Sequence, residues 1–476
     1  MQIILFSCLD KEYEAFKRIA RVFPKLVEIS GKNIDTEGMR ALGGLNGSCL
    51  TSINFAYIVS ENNDTLDVAI DTLCKGSPNL KTFLVINLSD SCHITDAAVQ
   101  SIVQYCPLIE TLALRKWTDI LNISMSNLAP RSCLREIDLS QCYQLTSAGI
   151  QGLLKANRKL EVLVLADTDR YADLDEDPDP FIDDALLRCI ALHCPDLVKL
   201  HLHFDAEAED TDVTAASFEA MIKGLPALKD FLVEDYNKDS SILSMLGLYC
   251  PLLKNLHIDS VDCTDDDIAS MCMGCPLIES LHLHHLVSIS ETFICSLATN
   301  YPNLKQLSIL CMDEITDDSL CMLFTHCTHL TSVTLTDLCI TDKSILTLLR
   351  CCPQLRDLTL TANPRLTDYC IQAIPTYCPH MQNLELDMSI VTREAIIQIA
   401  RYCKQLHTLL IYNGINIGNN TVLEILKLGG HLSKLSIQSN NVNVTVELKA
   451  QCDALVAKKR YRALCLSYTK TAVYSS

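Results

Sequence analysis

Residues 304–327 read LKQLSILCMDEITDDSLCMLFTHC, and this stretch decides the fold. Leu307 and Ile309 alternate with the polar Gln306 and Ser308, the period of a strand with one buried face. Ile315-Thr316-Asp317 follows. Threonine is a good N-cap, and an acid in the first turn suits the helix dipole. Leu320, Leu323 and Phe324 then fall at helical spacing. The predicted unit is strand, loop, helix, turn. In this register Leu307 points into the core, and Ser308 is expected on the exposed face, tolerant of aspartate.

Outward from this stretch the same frame recurs in 16 segments. Its first apolar residue is Leu26, Leu50, Leu80, Ile109, Leu134, Leu160, Leu197, Leu228, Leu253, Ile278, Leu304, Leu330, Leu355, Met381, Leu406 and Leu432. From Leu228 onward each step is 25 or 26 residues. The helix start recurs as Ile94-Thr95-Asp96, Ile340-Thr341-Asp342 and Leu366-Thr367-Asp368. Ten of the 15 prolines stand where one helix gives way to the next frame, as at Pro302 and Pro353. Proline lacks the N–H that would continue a helix. A period in this range with an L-x-x-L-x-L core is the signature of a leucine-rich-repeat solenoid. One unit buries too little to fold alone, so units must stack. Strands stack about 4.8 Å apart while helices need about 10 Å. The expected fold is therefore α/β: a horseshoe of about 16 repeats, similar to ribonuclease inhibitor, with a parallel concave sheet and convex helices. The expected organisation is a solenoid over 1–441, opening in mid-repeat because Ile3 and Leu5 fit the last apolar places of a frame. A C-terminal capping helix and tail over 442–476 follows.

The formal charge is −19 and the isoelectric point about 5.1, which argues against nucleic acid or an anionic membrane as partner and favours basic protein segments. Eight of the 25 cysteines occupy the first place of the frame: Cys106, Cys194, Cys250, Cys275, Cys327, Cys352, Cys378 and Cys403. They read as small buried apolar residues in a reducing compartment, without structural disulfides. Cys272-x-x-Cys275 is a lone pair, and zinc would need a second one.

These units resemble the cysteine-containing class of leucine-rich repeat, C-P-x-L-x-x-L-x-L-x-x-C-x-x-I-T-D-x-x-L. The segments from Leu304 and Leu355 carry it, with Cys92, Cys142 and Cys311 at or near the inner cysteine. The likeness covers roughly residues 20–440 and implies the F-box/leucine-rich-repeat proteins, substrate receptors of SCF-type cullin ubiquitin ligases. In that family the F-box docks a Skp-type adaptor, and the concave face and rim hold the substrate. The F-box itself is absent from this chain. The resemblance thus implies a protein substrate as partner, and a Skp-type adaptor and cullin only if an F-box lies upstream. The alternative is a free-standing scaffold or inhibitor that holds a basic protein.

The regular period breaks mildly at the steps of 30 and 29 after Leu50 and Leu80, and strongly at two later adjacent steps. The step from Leu160 to Leu197 is 37 residues and the next is 31. The insertions read ADTDRYADLDEDPDPFIDD (166–184), with nine acids, and DAEAEDTDVT (205–214), with five. Asp173, Asp175, Glu176, Asp177 and Asp179 are expected to form an acidic rim that docks a basic segment. Glu234-Asp235, Asp259, Asp262 and Asp265 to Asp267 extend that rim. The spacing of the loop acids is only faintly that of a calcium loop, since Pro178 stands where glycine is needed. On the concave face beneath, the exposed strand places carry His201, His203, Glu234, His257, Asp259, His282 and His284. They read as polar filling, as a protein-contact patch or, least favoured, as a fortuitous zinc site, and no metal or other cofactor is assigned. The strands bearing Leu310, Thr336, Thr361 and Tyr412 are more neutral. No phosphate-binding loop, nucleophile elbow or H-E-x-x-H occurs, so no enzymatic activity is expected. No signal peptide or membrane span is read, and the expected location is the cytoplasm, with the nucleus as the alternative.

Overall fold

The computed structural model describes residues 2–5, 26–44, 49–59, 66–88, 93–130, 133–166, 181–204, 213–234, 242–286, 289–387, 392–412, 419–429, 431–438 and 465–469. The chain divides into two compact units, Met1–Leu253 and Lys254–Ser476.

Among the described residues of the first unit nine strands run in sequence order. They are β1 (Gln2–Leu5), β2 (Leu26–Asp35), β3 (Ser52–Val59), β4 (Thr82–Leu88), β5 (Thr111–Ala113), β6 (Glu136–Asp138), β7 (Val162–Leu165), β8 (Lys199–His203) and β9 (Asp230–Glu234). Each pairs in parallel with the next. Described helices alternate with the strands from Thr36–Gly43 to Ile242–Tyr249. At the β1–β2 pairing Ile4, not Ile3, aligns with Ile29, one place from the frame expected at the start of the chain. Two helices meet at glycines: a Cβ on Gly76 would lie 1.9 Å from the Gly43 carbonyl oxygen, so no side chain fits there.

The second unit repeats the plan with β10 (Asn255–Asp259), β11 (Ser280–His284), β12 (Gln306–Leu310), β13 (Ser332–Thr336), β14 (Asp357–Thr361), β15 (Asn383–Asp387), β16 (Thr408–Tyr412), β17 (Lys434–Gln438) and β18 (Cys465–Thr469). All neighbours are parallel, and their register is residue for residue: Leu307 aligns with Val333, and Val333 with Leu358. β18 lies within the segment read from sequence as cap and tail, and its backbone continues the sheet beside β17. The capping helix expected over 447–462 lies outside the described residues.

Each unit is thus a leucine-rich-repeat solenoid with one parallel sheet and one layer of helices. The core runs between the two layers. All 16 first residues of the frame, Leu26 through Leu432, are buried. Leu307 and Ile309 are buried beside them. The cysteines of the frame form a second file. The Cys327 thiol donates to the Tyr301 carbonyl (3.3 Å), Cys352 to Cys327 (3.4 Å) and Cys378 to Cys352 (3.6 Å). Of the frame cysteines, Cys106, Cys194, Cys327, Cys352, Cys378 and Cys403 are free thiols. Burial pushes the thiols of Cys194, Cys250, Cys327, Cys352, Cys378 and Cys403 up to about 12.

The helix starts carry a further set of bonds. Thr316 caps its helix and accepts from the Ser319 amide. The acid that follows does more than complement the dipole. As the first residue of its helix, it accepts from the cap of the next repeat or, at Asp265, from Ser290, the residue before that cap. Asp67 holds Thr95, Asp184 holds Thr214, Asp265 holds Ser290, Asp317 holds Thr341, Asp342 holds Thr367 and Asp368 holds Thr392. At the other end of the strand the chain turns through the left-handed region without glycine. Ser260, His285, Cys311, Asp337 and Ala362, each one place past its strand, have φ between 50° and 53°. Four of their amides still donate to the last strand residue of the next repeat: Ser260 to His284, His285 to Leu310, Cys311 to Thr336 and Asp337 to Thr361. This turn aims the residues around the end of each strand.

Candidate functional site

The sheet face away from the helices presents alternate residues of every strand. In the second unit these begin with histidines. Strand alternation puts His257 and Asp259 on one face of β10. The register sets His282 beside His257 and His284 beside Asp259 on β11. The rings of His257 and His282 stack at 5.3 Å and 11°, and that of His284 stands edge-on to His257 at 4.6 Å and 69°. His282 Nε2 lies 3.1 Å from the Ser280 hydroxyl, which itself donates to Gln306.

Asp259 is the centre of charge in this group. One carboxylate oxygen lies 2.8 Å from Nδ1 of His285 and accepts from the Ser260 hydroxyl at 3.0 Å. The other lies 3.4 Å from Nδ1 of His284. Burial alone would raise this carboxyl. His284, His285 and Ser260 outweigh it and hold the group well below the usual carboxylate range. Nε2 of His284 lies 2.8 Å from the hydroxyl of Ser308 on β12.

Two expectations need correction here. His203 and His284 do not lie at exposed strand places; both are buried, at 7% and 8% exposure. Ser308, expected to be open, is also buried, because the His284 ring covers it. The face is right for all three, but cross-strand partners shield them. His285, by contrast, escaped the strand alternation because it sits on the left-handed turn. Its imidazole reaches back to the strand before it.

In the first unit the same chemistry occurs as pairs. His201 Nε2 lies 2.9 Å from Asp230, and His203 Nδ1 lies 3.0 Å from Glu234. The rim acids Asp173, Asp175, Glu176, Asp177 and Asp179 lie outside the described residues, as does 205–212. Of the acids read as an extension of that rim, Asp259 is engaged by histidines, Asp265 holds Ser290, and Asp267 forms a capping box with Thr264. These three are structural partners and not a free acidic edge.

Beyond β12 the open face of the second unit changes character. Thr336 and Thr361 share a hydroxyl–hydroxyl bond of 2.7 Å. Glu385 and Asp387 follow on β15, and Leu410 and Tyr412 on β16. Burial, then the neighbouring Glu385, push the Tyr412 phenol up. β13 and β14 both offer threonines, while β15 and β16 differ from them and from each other, although the buried side of each repeats leucine, isoleucine and valine.

No protein-family model matches the chain, and no curated protein sequence matches it. Solved structures do. Yeast Rad7, in its complex with Elc1, superposes with a TM-score of 0.51 over 91% of this chain and 89% of that one, at 14% identity. An internalin from Listeria monocytogenes covers 75% of this chain and 89% of its own, at 15% identity and a TM-score of 0.42. The TLR13 chain of a complex with ssRNA13 covers 99% of this chain and 78% of its own, at 13% identity and a TM-score of 0.40. At these identities the likeness to Rad7 shows a shared fold.

Proposed function

We propose that this chain is a protein-binding scaffold that works without catalysis, and that the open face of its sheet is the recognition surface. One observation carries the reading. The buried side of the repeats is nearly constant, while the open side varies from histidine and aspartate on β10 and β11 to threonine on β13 and β14 and to Leu410 and Tyr412 on β16. A solenoid gains specificity from such variation, since its backbone supplies only a repeating surface. At the finer level the chain serves as the substrate-recognition subunit of an SCF-type cullin ubiquitin ligase. Support comes from the cysteine-class repeat and its I-T-D helix starts. The Rad7 structure, which shares the fold, was solved with a partner protein, Elc1. The Skp-type adaptor and cullin are partners only if an F-box lies upstream of Met1. The acidic insertion around Asp173 to Asp179 serves as a docking edge for a basic substrate segment, in keeping with the net charge of −19. The place of action is the cytoplasm or nucleus; among the described residues no helix is long and apolar enough to cross a membrane.

The test is affinity purification of the tagged native gene product, followed by mass spectrometry. A Skp-type adaptor and a cullin should accompany it, together with one or more substrates. Thr359→Arg and Leu410→Arg on the open face should lose the substrates and keep the adaptor. Tyr402→Arg, on the outer face of a helix and 56% exposed, should lose neither. Loss of substrate only with Tyr402→Arg would move the recognition surface to the helices. Intact substrate binding without adaptor or cullin would leave a scaffold outside the ligase.

A further inference from the structure

The histidine group on β10 and β11 has a geometry that protein contact alone does not require. His257, Asp259 and His284 each offer one ligand atom, and these three atoms lie within 4.8 Å of one another. Two of them come from alternate residues of one strand, and the third from the register partner of Asp259. Asp259 Oδ2 and His284 Nδ1 stand 3.4 Å apart, which is long for an N–H···O bond. It is the separation of two ligands on one tetrahedral zinc: bonds of about 2.0–2.1 Å at a tetrahedral angle place their ends roughly 3.4 Å apart.

We propose that His257, Asp259 and His284 form a zinc-binding site on the open face of the second unit.

On His284 and Asp259 the atoms that do not face the centre are held by neighbouring groups. The far nitrogen of His284 is 2.8 Å from the Ser308 hydroxyl, and Ser308 is only 3% exposed. The second oxygen of Asp259 is occupied by His285 and Ser260. Metal-bound imidazoles nearly always pass their other N–H to a fixed acceptor, and ligating carboxylates are themselves hydrogen-bonded. Here both supports are in place, and the stacked His282 ring orients His257. Two imidazoles and one carboxylate are the ligand set of a zinc site with one position left open. His257 and Asp259 are half-buried on the open face, so that fourth position takes a water or a side chain of a docked protein. The sequence counts zinc only as the least favoured reading of these histidines and names no ligand set, because the third ligand lies on a different repeat.

The test begins with wild-type protein under reducing conditions, since the many thiols are the obvious competitors. Zinc should titrate to one equivalent per chain, and X-ray absorption at the zinc edge should show a first shell of nitrogen and oxygen with imidazole scattering behind it. Sulfur in that shell would overturn the proposal, as would the absence of saturable uptake. The second arm uses His257→Gln, Asp259→Asn and Ser308→Ala, each checked for native circular dichroism. The first two should abolish the one-equivalent binding. Ser308→Ala should weaken it by roughly 10- to 100-fold, the usual effect of removing an outer-shell partner. Binding unchanged in both His257→Gln and Asp259→Asn would place the metal elsewhere.

Discussion

Asp317 accepts two hydrogen bonds from Thr341, one from its amide at 3.0 Å and one from its hydroxyl at 2.7 Å. The two residues are 24 positions apart, and each is itself part of a helix start. The same bond links Asp342 to Thr367 and Asp368 to Thr392. The I-T-D triplet therefore does two things: its threonine caps one helix, and its aspartate fastens the cap of the next.

Asp317→Ala should destabilise the second unit by about 1.5–3 kcal/mol, the range for hydrogen bonds to a charged acceptor. Asp318→Ala, one residue on, should change stability by less than about 0.5 kcal/mol. Asp318 is largely exposed and pairs with Lys343 at the surface. Denaturant midpoints of the two variants decide it; equal shifts would deny the ladder its role.

The same aspartates set an acid limit. Burial alone would raise the carboxyls of Asp184, Asp265 and Asp317, but the hydroxyl and amide donors of the next repeat outweigh it and lower all three. A depressed folded-state pKa contributes stability above the unfolded value, near 3.9, and that stability is lost as pH falls through the folded value. Stability should hold from pH 7 to about 5 and drop steeply below about 4. Asp317→Asn should make the drop shallower, as read from urea midpoints across that range.

Leu307→Asp should unfold neighbouring repeats, because it removes a buried side chain worth roughly 1.5–3 kcal/mol and strands a charge in the core. Thr334→Asp, on the half-buried open face of the adjacent strand, should shift the melting temperature far less. Equal shifts would contradict the strand register.

Thiol reactivity should separate into two classes. Cys49, Cys295 and Cys339 are exposed, whereas burial holds the thiols of the repeat-start file un-ionised at neutral pH. Brief alkylation of native protein, read by peptide mass spectrometry, should label the exposed three first. Denaturation should then release Cys327, Cys352 and Cys378 as free thiols. Disulfide-linked peptides in their place would contradict the reducing compartment.

The sequence discloses what repeats within one unit. The apolar alternation around Leu307, the cap at Thr316 and the buried cysteine at Cys327 are all legible there. It does not disclose partners one repeat away. That Asp317 reaches Thr341, or that His284 is sheltered by Ser308 and faces Asp259, depends on stacking register. The turn after each strand was equally hidden. Ser260, His285, Cys311, Asp337 and Ala362 share no chemistry, and none is the glycine that marks left-handed backbone. The acids Asp173 to Asp179 of the insertion, prominent in sequence for their density, lie outside the described residues, whereas Asp184 at its end begins a helix.

The repetition of the Asp–Thr bond also has a mechanical meaning. Between Asp317 and Thr392 successive layers are joined by the same Asp–Thr contact. Pulled from its C-terminal end in an optical trap, such a stack would peel layer by layer. Each event would lengthen the tether by about 90 Å, the contour of some 25 extended residues. The force trace would be a sawtooth of near-equal teeth, and a single tooth missing its height would locate a severed rung.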